Sequence, residues 1–248
     1  GAGTQKVEQD LKELPGNIRV LRMDTDTVNE KLGHEGMIAA FRAHQYDVLL
    51  GTQMVAKGLD ISNVTLVGVI AADAALFADN FRANERTFAI LTQVVGRAGR
   101  AGKDGAAVIQ TNCPESKVIQ MAKAQDYESF YEYEMDYRRA LAYPPFSDLY
   151  QFQFSGELEA EVRRAATDFH TRLIEMLPKY RGLKYRVYTP TPAAVYRISN
   201  KYRYRLLCKC RDDRNFRKAV SLVLSQFHAS PRYKTVVVTV DPNPQSFS

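Results

Sequence analysis

Short segments of almost unbroken apolar residues limit what the first part of the chain can fold into. Strands that are apolar along their whole length are typical of a parallel sheet covered on both faces. Helical segments lie between them, so the alternation predicts an α/β layer with crossover connections. The predicted elements are, in chain order, a helix at Val7–Leu14, a strand at Ile18–Met23, a helix at Glu35–His44, strands at Asp47–Gly51 and Val64–Ala71, a helix at Thr87–Val95 and a strand at Ala106–Thr111.

A different arrangement is predicted after residue 112. The segment Glu115–Leu141 is acidic, rich in tyrosine and helical in pattern, and it ends before the double proline Pro144–Pro145, where a domain boundary is expected. We therefore predict three parts: a lobe at 1–112, a linker helix at 113–142 and an α+β domain at 143–248. The elements predicted for the last part are a strand at Leu149–Ser155, a helix at Glu157–Leu177, a turn at Thr189–Pro192, a strand at Tyr202–Arg211, a helix at Asn215–Phe227 and a strand at Thr235–Val240.

Charge is distributed unevenly along the chain. The formal net charge is +6 over 248 residues, yet residues 143–248 hold 18 basic and 9 acidic side chains and so carry +9. A basic domain beside a nearly neutral lobe is suited to meet phosphates or an acidic protein tail. The alternative is a basic surface that only keeps the domain soluble.

Composition excludes several classes of protein. With 45% hydrophobic and 25% charged residues the chain is an ordinary globular one, and no apolar run approaches the roughly 20 residues that a membrane-spanning helix needs. Three cysteines form neither a disulfide framework nor a tetrahedral zinc site, so we predict no metal site and a cytoplasmic setting. The chain begins Gly1-Ala2-Gly3, which suggests a piece of a longer protein.

The strongest functional motif is the segment Gln93–Arg100 (QVVGRAGR), at the end of a predicted helix. Gln93 and Arg97 lie four residues apart and Arg97 and Arg100 three apart, so all three can share one helical face. Two guanidinium groups that point the same way suit a triphosphate, because arginine is planar, bidentate and always charged. The alternative is a basic, glycine-bearing loop that only ends the helix.

A second motif, Gly51–Ile61 (GTQMVAKGLDI), follows a predicted buried strand. Ligands of open α/β sheets bind at the carboxyl ends of strands, which is where this loop falls. The Thr52 hydroxyl can hydrogen-bond a nucleic-acid phosphate, and Gly58 and Asp60 can approach a ribose. A loop after a strand is also often a simple turn.

Together the two motifs resemble motifs V and VI of superfamily 2 helicases, in the second RecA-like lobe. Further segments narrow the resemblance to the PriA-type replication-restart helicases and run through nearly the whole chain. They are GTQ at 3–5, RMDTD at 22–26, AALF at 74–77, DNFRANER at 79–86, LAYPPF at 141–146 and VDP at 240–242.

The resemblance implies a DNA-dependent ATPase that unwinds DNA 3′ to 5′ at stalled forks and starts primosome assembly. By motif position, Arg100 is the expected arginine finger, Arg97 supports the phosphates and Gln93 senses nucleotide. Gly58 and Asp60 face the nucleotide cleft. Thr52 and Gln53 face DNA, and Asp73 is expected to couple the two ligands.

Parts of the implied helicase are absent from this sequence. It has no GxxxxGK[ST] phosphate loop and no Asp-Glu-x-His segment for magnesium. The family's zinc module and the first strand of the second lobe are expected upstream of Gly1. The fold expected here is thus a RecA-like second lobe with a parallel sheet lacking its first strand, followed by a smaller α+β domain. ATP and Mg²⁺ are expected in the full-length protein, and this chain alone is expected to lack ATPase activity.

The predicted strand Tyr202–Arg211 (YRYRLLCKCR) alternates between two kinds of side chain. One face carries the tyrosines and Cys208 and Cys210, which we expect to pack. The other face forms a basic stripe of Arg203, Arg205, Lys209 and Arg211. This stripe can track a DNA backbone or receive the acidic tail of a single-stranded DNA-binding protein, as the resemblance implies, and the alternative is an exposed sheet face kept soluble.

Two rival functions stay open on the sequence alone. One is a non-catalytic nucleic-acid-binding adaptor with a degenerate RecA lobe, for which Arg97 and Arg100 are dispensable. The other is a different superfamily 2 helicase with an unrelated tail. The partners expected for the favoured hypothesis are forked and single-stranded DNA, the single-stranded DNA-binding protein and primosome proteins, with no membrane.

Overall fold

The computed structural model describes residues 3–24, 33–52, 64–96 and 105–245. Packing divides the chain into two units, the first made of Gly1–Phe77 and Asn84–Phe130 and the second of Ala78–Ala83 and Tyr131–Ser248. The boundary between Phe130 and Tyr131 falls inside the predicted linker at 113–142. Phe130 belongs to the first unit because its ring stacks on that of Phe88, with ring centroids 4.0 Å apart.

The first unit alternates helices and strands, which confirms the predicted α/β class. Boundaries differ from the predicted ones by a few residues. The elements are α1 (Thr4–Lys12), β1 (Val20–Met23), α2 (Gly33–Arg42), β2 (Val48–Gly51), β3 (Leu66–Val69), a 3₁₀ turn (Ala72–Ala74), α3 (Ala83–Val95), β4 (Ala106–Ile109) and α4 (Lys117–Ala124).

All strand pairing described in the first unit is parallel, as the apolar strands predict. β1 pairs with β2, with Met23 opposite Gly51. β3 pairs with β4, with Val69 opposite Ile109. Among the described residues the four strands thus form two parallel pairs. In each pair the carboxyl ends of both strands coincide, so the residues that follow them meet at one edge.

The predicted helix over 115–141 is interrupted, which corrects the sequence-based expectation. Gln125 adopts a left-handed backbone with φ 56° and ends α4. The Asp126 side chain then accepts a hydrogen bond from the Ser129 N–H at 3.0 Å and so caps the next helix, α5 (Tyr127–Leu141). A helix-capping aspartate inside a long helical pattern was the available signal for this break.

The second unit is an antiparallel sheet with two long helices. Its elements after α5 are β5 (Asp148–Gly156), α6 (Glu159–Met176), β6 (Tyr185–Val187), β7 (Thr191–Ile198), β8 (Lys201–Cys210), α7 (Arg214–His228) and β9 (Val237–Pro242). β8 pairs with β5 on one side and with β6 and β7 on the other, and β9 pairs with β5. The predicted α+β arrangement is therefore present, with two additional strands.

The segment predicted as a turn at Thr189–Pro192 runs into the strand β7. Pro192 lies opposite Tyr204 in the pairing with β8. Proline is tolerated there because β7 lies at an edge of the sheet, where a missing N–H breaks no second ladder. The register shifts between Pro192 and Arg197, so the strand is irregular where the sequence looks like a turn.

Aromatic side chains fill the core of the second unit. Phe152 and Phe154 of β5 point to the helices and contact Phe169 of α6, with ring centroids 5.0 and 5.4 Å apart. Phe227 of α7 lies 5.7 Å from the same ring. All four rings are essentially inaccessible to solvent. Phe169 therefore joins the sheet to both helices.

None of the helices within the described ranges is long and apolar enough to span a membrane.

Phe169→Ala should destabilise the second unit by about 3–5 kcal/mol, since it removes a fully buried ring from a close-packed cluster. Urea denaturation followed by circular dichroism measures the change. The matched control is Ile174→Ala on the same helix, where the residue is 42% exposed and a clearly smaller change, of about 1 kcal/mol or less, is expected. Equal losses in both variants would contradict the proposed central position of Phe169.

Candidate functional site

The carboxyl end of β1 is fixed by a partly buried polar network. The Thr4 hydroxyl donates to the Asp24 carboxylate at 2.9 Å. The Arg22 guanidinium forms ion pairs with Asp24 at 3.0 Å and with Glu8 at 3.1 Å. Asp24 is buried, and the charge of its carboxylate is balanced by the Arg22 guanidinium. These contacts fasten α1 to β1 and give Thr4 of the GTQ segment and Arg22 and Asp24 of the RMDTD segment a shared structural role.

Thr52 lies beside this network, at the carboxyl end of β2. Gly51 pairs with Met23, and Thr52 follows it with an exposed side chain. The position suits a ligand at the edge of a parallel pair. The predicted site residues Gln53, Gly58 and Asp60 lie outside the described residues.

The end of α3 carries the first residue of the arginine motif. Gln93 is exposed in the last turn, whereas Leu91 and Val94 are buried beneath it. Gly96 follows in a close-packed position, because a Cβ atom there would lie 3.2 Å from the Thr92 carbonyl oxygen and 3.4 Å from the Gln125 side-chain nitrogen. The glycine thus lets the helix end pack against Gln125. Arg97 and Arg100 lie outside the described residues.

Asp73 joins the ends of β3 and β4. Its carboxylate accepts hydrogen bonds from the Asn112 backbone N–H at 3.1 Å and from the Asn112 side-chain amide at 3.0 Å. The Thr111 hydroxyl is the largest influence on the carboxyl group and, with these bonds, lowers the pKa of Asp73. The geometry gives Asp73 a structural role, and the coupling role predicted for it stays a prediction.

One face of β8 packs as the alternation predicts. Tyr204, Leu206, Cys208 and Cys210 are buried in the core of the second unit. A hydrogen bond with Cys208 and burial raise the pKa of the Cys210 thiol, so it stays protonated. The expected packing role of the two cysteines is confirmed. No group of three or more metal-ligating side chains occurs in the part of the chain that the structure describes.

The other face of β8 differs from an open basic stripe, and Lys209 departs from it most. Lys209 is only 7% exposed. Its ammonium group donates to the Leu141 carbonyl and lies 3.5 Å from the centroid of the Tyr143 ring. Burial, together with the nearby charge of Arg186, lowers the pKa of Lys209. The side chain therefore joins the end of α5 to the sheet and is withdrawn from solvent.

The three arginines predicted in the same stripe have different surroundings. Arg205 forms an ion pair with Asp79. Arg203 is partly exposed and donates to the Val195 carbonyl at 3.4 Å, whereas Arg211 is exposed beyond the end of the strand. The predicted basic stripe is thus interrupted at Lys209, because alternation along a strand does not reveal which residues another segment covers.

Exposed cations also gather at the amino end of α7. Arg214 and Lys218 are exposed there, near Arg211. Arg217 is also exposed but is paired with Asp212 at 2.8 Å. Asp213 caps the helix by accepting from the Phe216 N–H at 2.8 Å. The high basic content of residues 211–218 was the sequence signal for this patch, which is more open than the strand itself.

Comparisons with known proteins agree with the two-part organisation. Residues 2–102 match the model of the helicase conserved C-terminal domain, and residues 139–244 match that of the primosomal protein N C-terminal domain. The replication restart protein PriA of Bacillus subtilis (strain 168) is 40% identical over 98% of this chain. The PriA proteins of Synechocystis and Chlamydia pneumoniae are 39% and 35% identical, over 84% and 98% of this chain.

The chain belongs to the PriA family. It spans 30%, 25% and 32% of the length of these three relatives. Neither rival function is favoured, because the similarity to PriA proteins extends through both the lobe and the basic domain. A solved structure of a de novo designed protein, Foldit4, covers 40% of this chain at 13% identity with a TM-score of 0.28, a similarity that bears on neither fold nor function.

Asp73→Asn should lower stability at neutral pH, and its difference from wild type should shrink on acidification. The pKa of Asp73 is lowered in the folded state, so its stabilisation is present above the unfolded pKa and is lost as pH falls through the folded one. Thermal unfolding between pH 7 and about pH 3 measures this difference. Asp10→Asn, at an exposed position on α1, is the control, and a pH-independent difference for Asp73→Asn would contradict the assignment.

Proposed function

We propose that the longer protein to which this chain belongs is a DNA helicase that acts in replication restart and primosome assembly. In this proposal the chain supplies the second RecA-like lobe and a basic domain that binds DNA or partner proteins. The observation that supports it most is the succession of a helicase domain and a primosomal C-terminal domain, with 40% identity to a PriA protein over 98% of the chain.

The first part of the proposal concerns ATP hydrolysis in a cleft between two lobes. ATP and Mg²⁺ would supply the phosphoryl-transfer chemistry, with Arg100 as arginine finger and Arg97 holding the phosphates. Gln93 is suited to sense nucleotide, since its side chain is exposed at the end of α3. Gly58 and Asp60 are proposed to border the cleft. The zinc expected for the family belongs to a module outside this chain.

The second part concerns the nucleic acid. Thr52 and Gln53 are proposed to contact the DNA backbone, and the exposed position of Thr52 at the carboxyl end of β2 supports this. The proposed DNA contacts Thr52 and Gln53 and the proposed cleft residues Gly58 and Asp60 would then all belong to the segment that follows β2.

Arg100→Ala in the full-length protein should reduce ATP turnover by about 10³-fold or more while DNA affinity stays nearly unchanged. The reason is that an arginine finger acts on charge that develops in the transition state. Steady-state ATP hydrolysis in the presence of DNA measures turnover, with Lys123→Ala on the exposed side of α4 as control. Unchanged turnover would favour a non-catalytic adaptor, and the 248-residue chain alone serves as the blank without activity.

The third part concerns the basic domain. We propose that Arg211 and Arg203, with Arg214 and Lys218, meet DNA phosphates, because their side chains are exposed or partly exposed. Arg205 and Lys209 are proposed to contribute positive potential and to hold the surface in place. The acidic tail of a single-stranded DNA-binding protein is the alternative ligand of the same cations.

Replacing Arg203 and Arg211 together by alanine should weaken binding to single-stranded DNA and reduce the slope of log affinity against log salt by about one per lost phosphate contact. Fluorescence anisotropy at several salt concentrations measures both quantities. The control replaces Arg232, within the 3₁₀ turn Pro231–Tyr233 that precedes β9, and Lys234, which follows that turn. An unchanged slope would count against phosphate contact, and loss of binding to an acidic peptide alone would favour the protein ligand.

A further inference from the structure

A cavity of about 230 Å³ lies on the sheet face of the second unit that points away from α6 and α7. Gln151 of β5 and Leu207 of β8 pair across the sheet and line it, together with the side chains of Tyr143 and Tyr188. A cavity of about 150 Å³ can hold a benzene ring, so this one has room for a single heteroaromatic ring system. All of its lining residues belong to the second unit.

One lining residue of the cavity, Gln151, carries a polar atom with no hydrogen-bond partner in the described part of the chain. Gln151 is only 5% exposed, and its Oε1 atom has no hydrogen-bond partner among the described residues. Burying an unpaired amide carries a desolvation penalty, and such groups are rare in folded proteins. An amide in this position is suited to a ligand that brings both a hydrogen-bond donor and an acceptor.

The charges around the cavity indicate what kind of ligand this is. Asp79 and Arg205 both line it, and they form an ion pair with each other. The opposite charges of the lining therefore balance, which disfavours a carboxylate or phosphate as the group that enters. The hydroxyl-bearing residues Thr189 and Thr191 are exposed at its edge. A neutral ring with donors and acceptors on its edge fits these features.

We propose that this cavity, the Gln151 cavity, receives one unstacked base of single-stranded DNA. The Gln151 amide pairs with the edge of the base, in the way that glutamine pairs with the N6 and N7 atoms of adenine. This inference rests on the DNA binding proposed above and adds a base contact to it. It gives Gln151 a contact with the base, which electrostatic attraction between the cations and the DNA backbone alone would not provide.

Cations on either side of the cavity are placed for the phosphates that flank such a base. Arg186 is exposed, with its guanidinium 5.1 Å from the centroid of the Tyr188 ring. Arg203 is partly exposed and lies two residues from Arg205 on the same face of β8. A strand that runs over this face meets charge beside the cavity and neutral hydrogen-bonding groups inside it.

The experiment compares two probes on the 248-residue chain at one fixed low salt concentration. One is an oligonucleotide of about 15 deoxyadenosines, and the other is an abasic tetrahydrofuran strand of the same length. Wild type should bind the first about fivefold more tightly or better. Gln151→Met keeps the side-chain length but removes the amide, so it should abolish this ratio and leave the affinity for the abasic strand unchanged.

Two controls separate a binding role from a structural one. Gln153→Met, two residues along the same face of β5, should keep the wild-type ratio, since Gln153 does not line the cavity. The thermal midpoint of Gln151→Met should equal or exceed that of wild type, because the variant removes an unpaired buried amide. A lower midpoint, or an equal loss of affinity for both probes, would assign Gln151 a structural role and overturn the proposal.

The remaining outcomes distinguish this inference from the function on which it rests. If wild type binds both probes with equal affinity, DNA binding stands and the base site is wrong. If wild type binds neither probe, the proposed DNA binding itself fails, and the base site fails with it.

Discussion

The antiparallel pairing of β5 with β8 is the constraint on which the second unit depends. Nine consecutive positions pair, from Asp148 opposite Cys210 to Gly156 opposite Tyr202. This register places Phe152 and Phe154 on the same face as Leu206 and Cys208, where α6 and α7 cover them. A shift by one residue would expose the aromatic core and bury charged side chains, so burial of the rings fixes the register.

The opposite face of this sheet carries polar groups that other segments of the same chain partly cover. Lys209 is nearly buried against Tyr143, and Arg205 is paired with Asp79. Both cations have been given internal partners, which limits the cost of removing them from water. Gln151 on the same face lacks such a partner among the described residues, and this contrast makes it the more informative residue for function.

In the first unit the corresponding constraint is the parallel pairing of short strands. This pairing brings segments that are distant in the sequence together at the carboxyl ends of the paired strands. Asp24 follows β1 and is held by Thr4 and Arg22. Asp73 follows β3 and is held by Asn112, which follows β4. Carboxylates at the ends of β1 and β3 are thus held by internal hydrogen bonds, and the proposed DNA contact Thr52 follows the strand paired with β1.

The sequence alone determined the class of each unit, because side-chain period depends only on local backbone geometry. Apolar runs indicated parallel strands, and the alternation from Tyr202 to Arg211 indicated which β8 residues pack. The motifs that carry the family resemblance could also be read directly. Tertiary structure alone decided which polar residues reach solvent: Lys209 and Gln151 are buried, whereas Arg211 is exposed. The physical reason is that a period assigns a residue to a face, but what covers that face comes from segments distant in the chain, such as Asp79 and Tyr143.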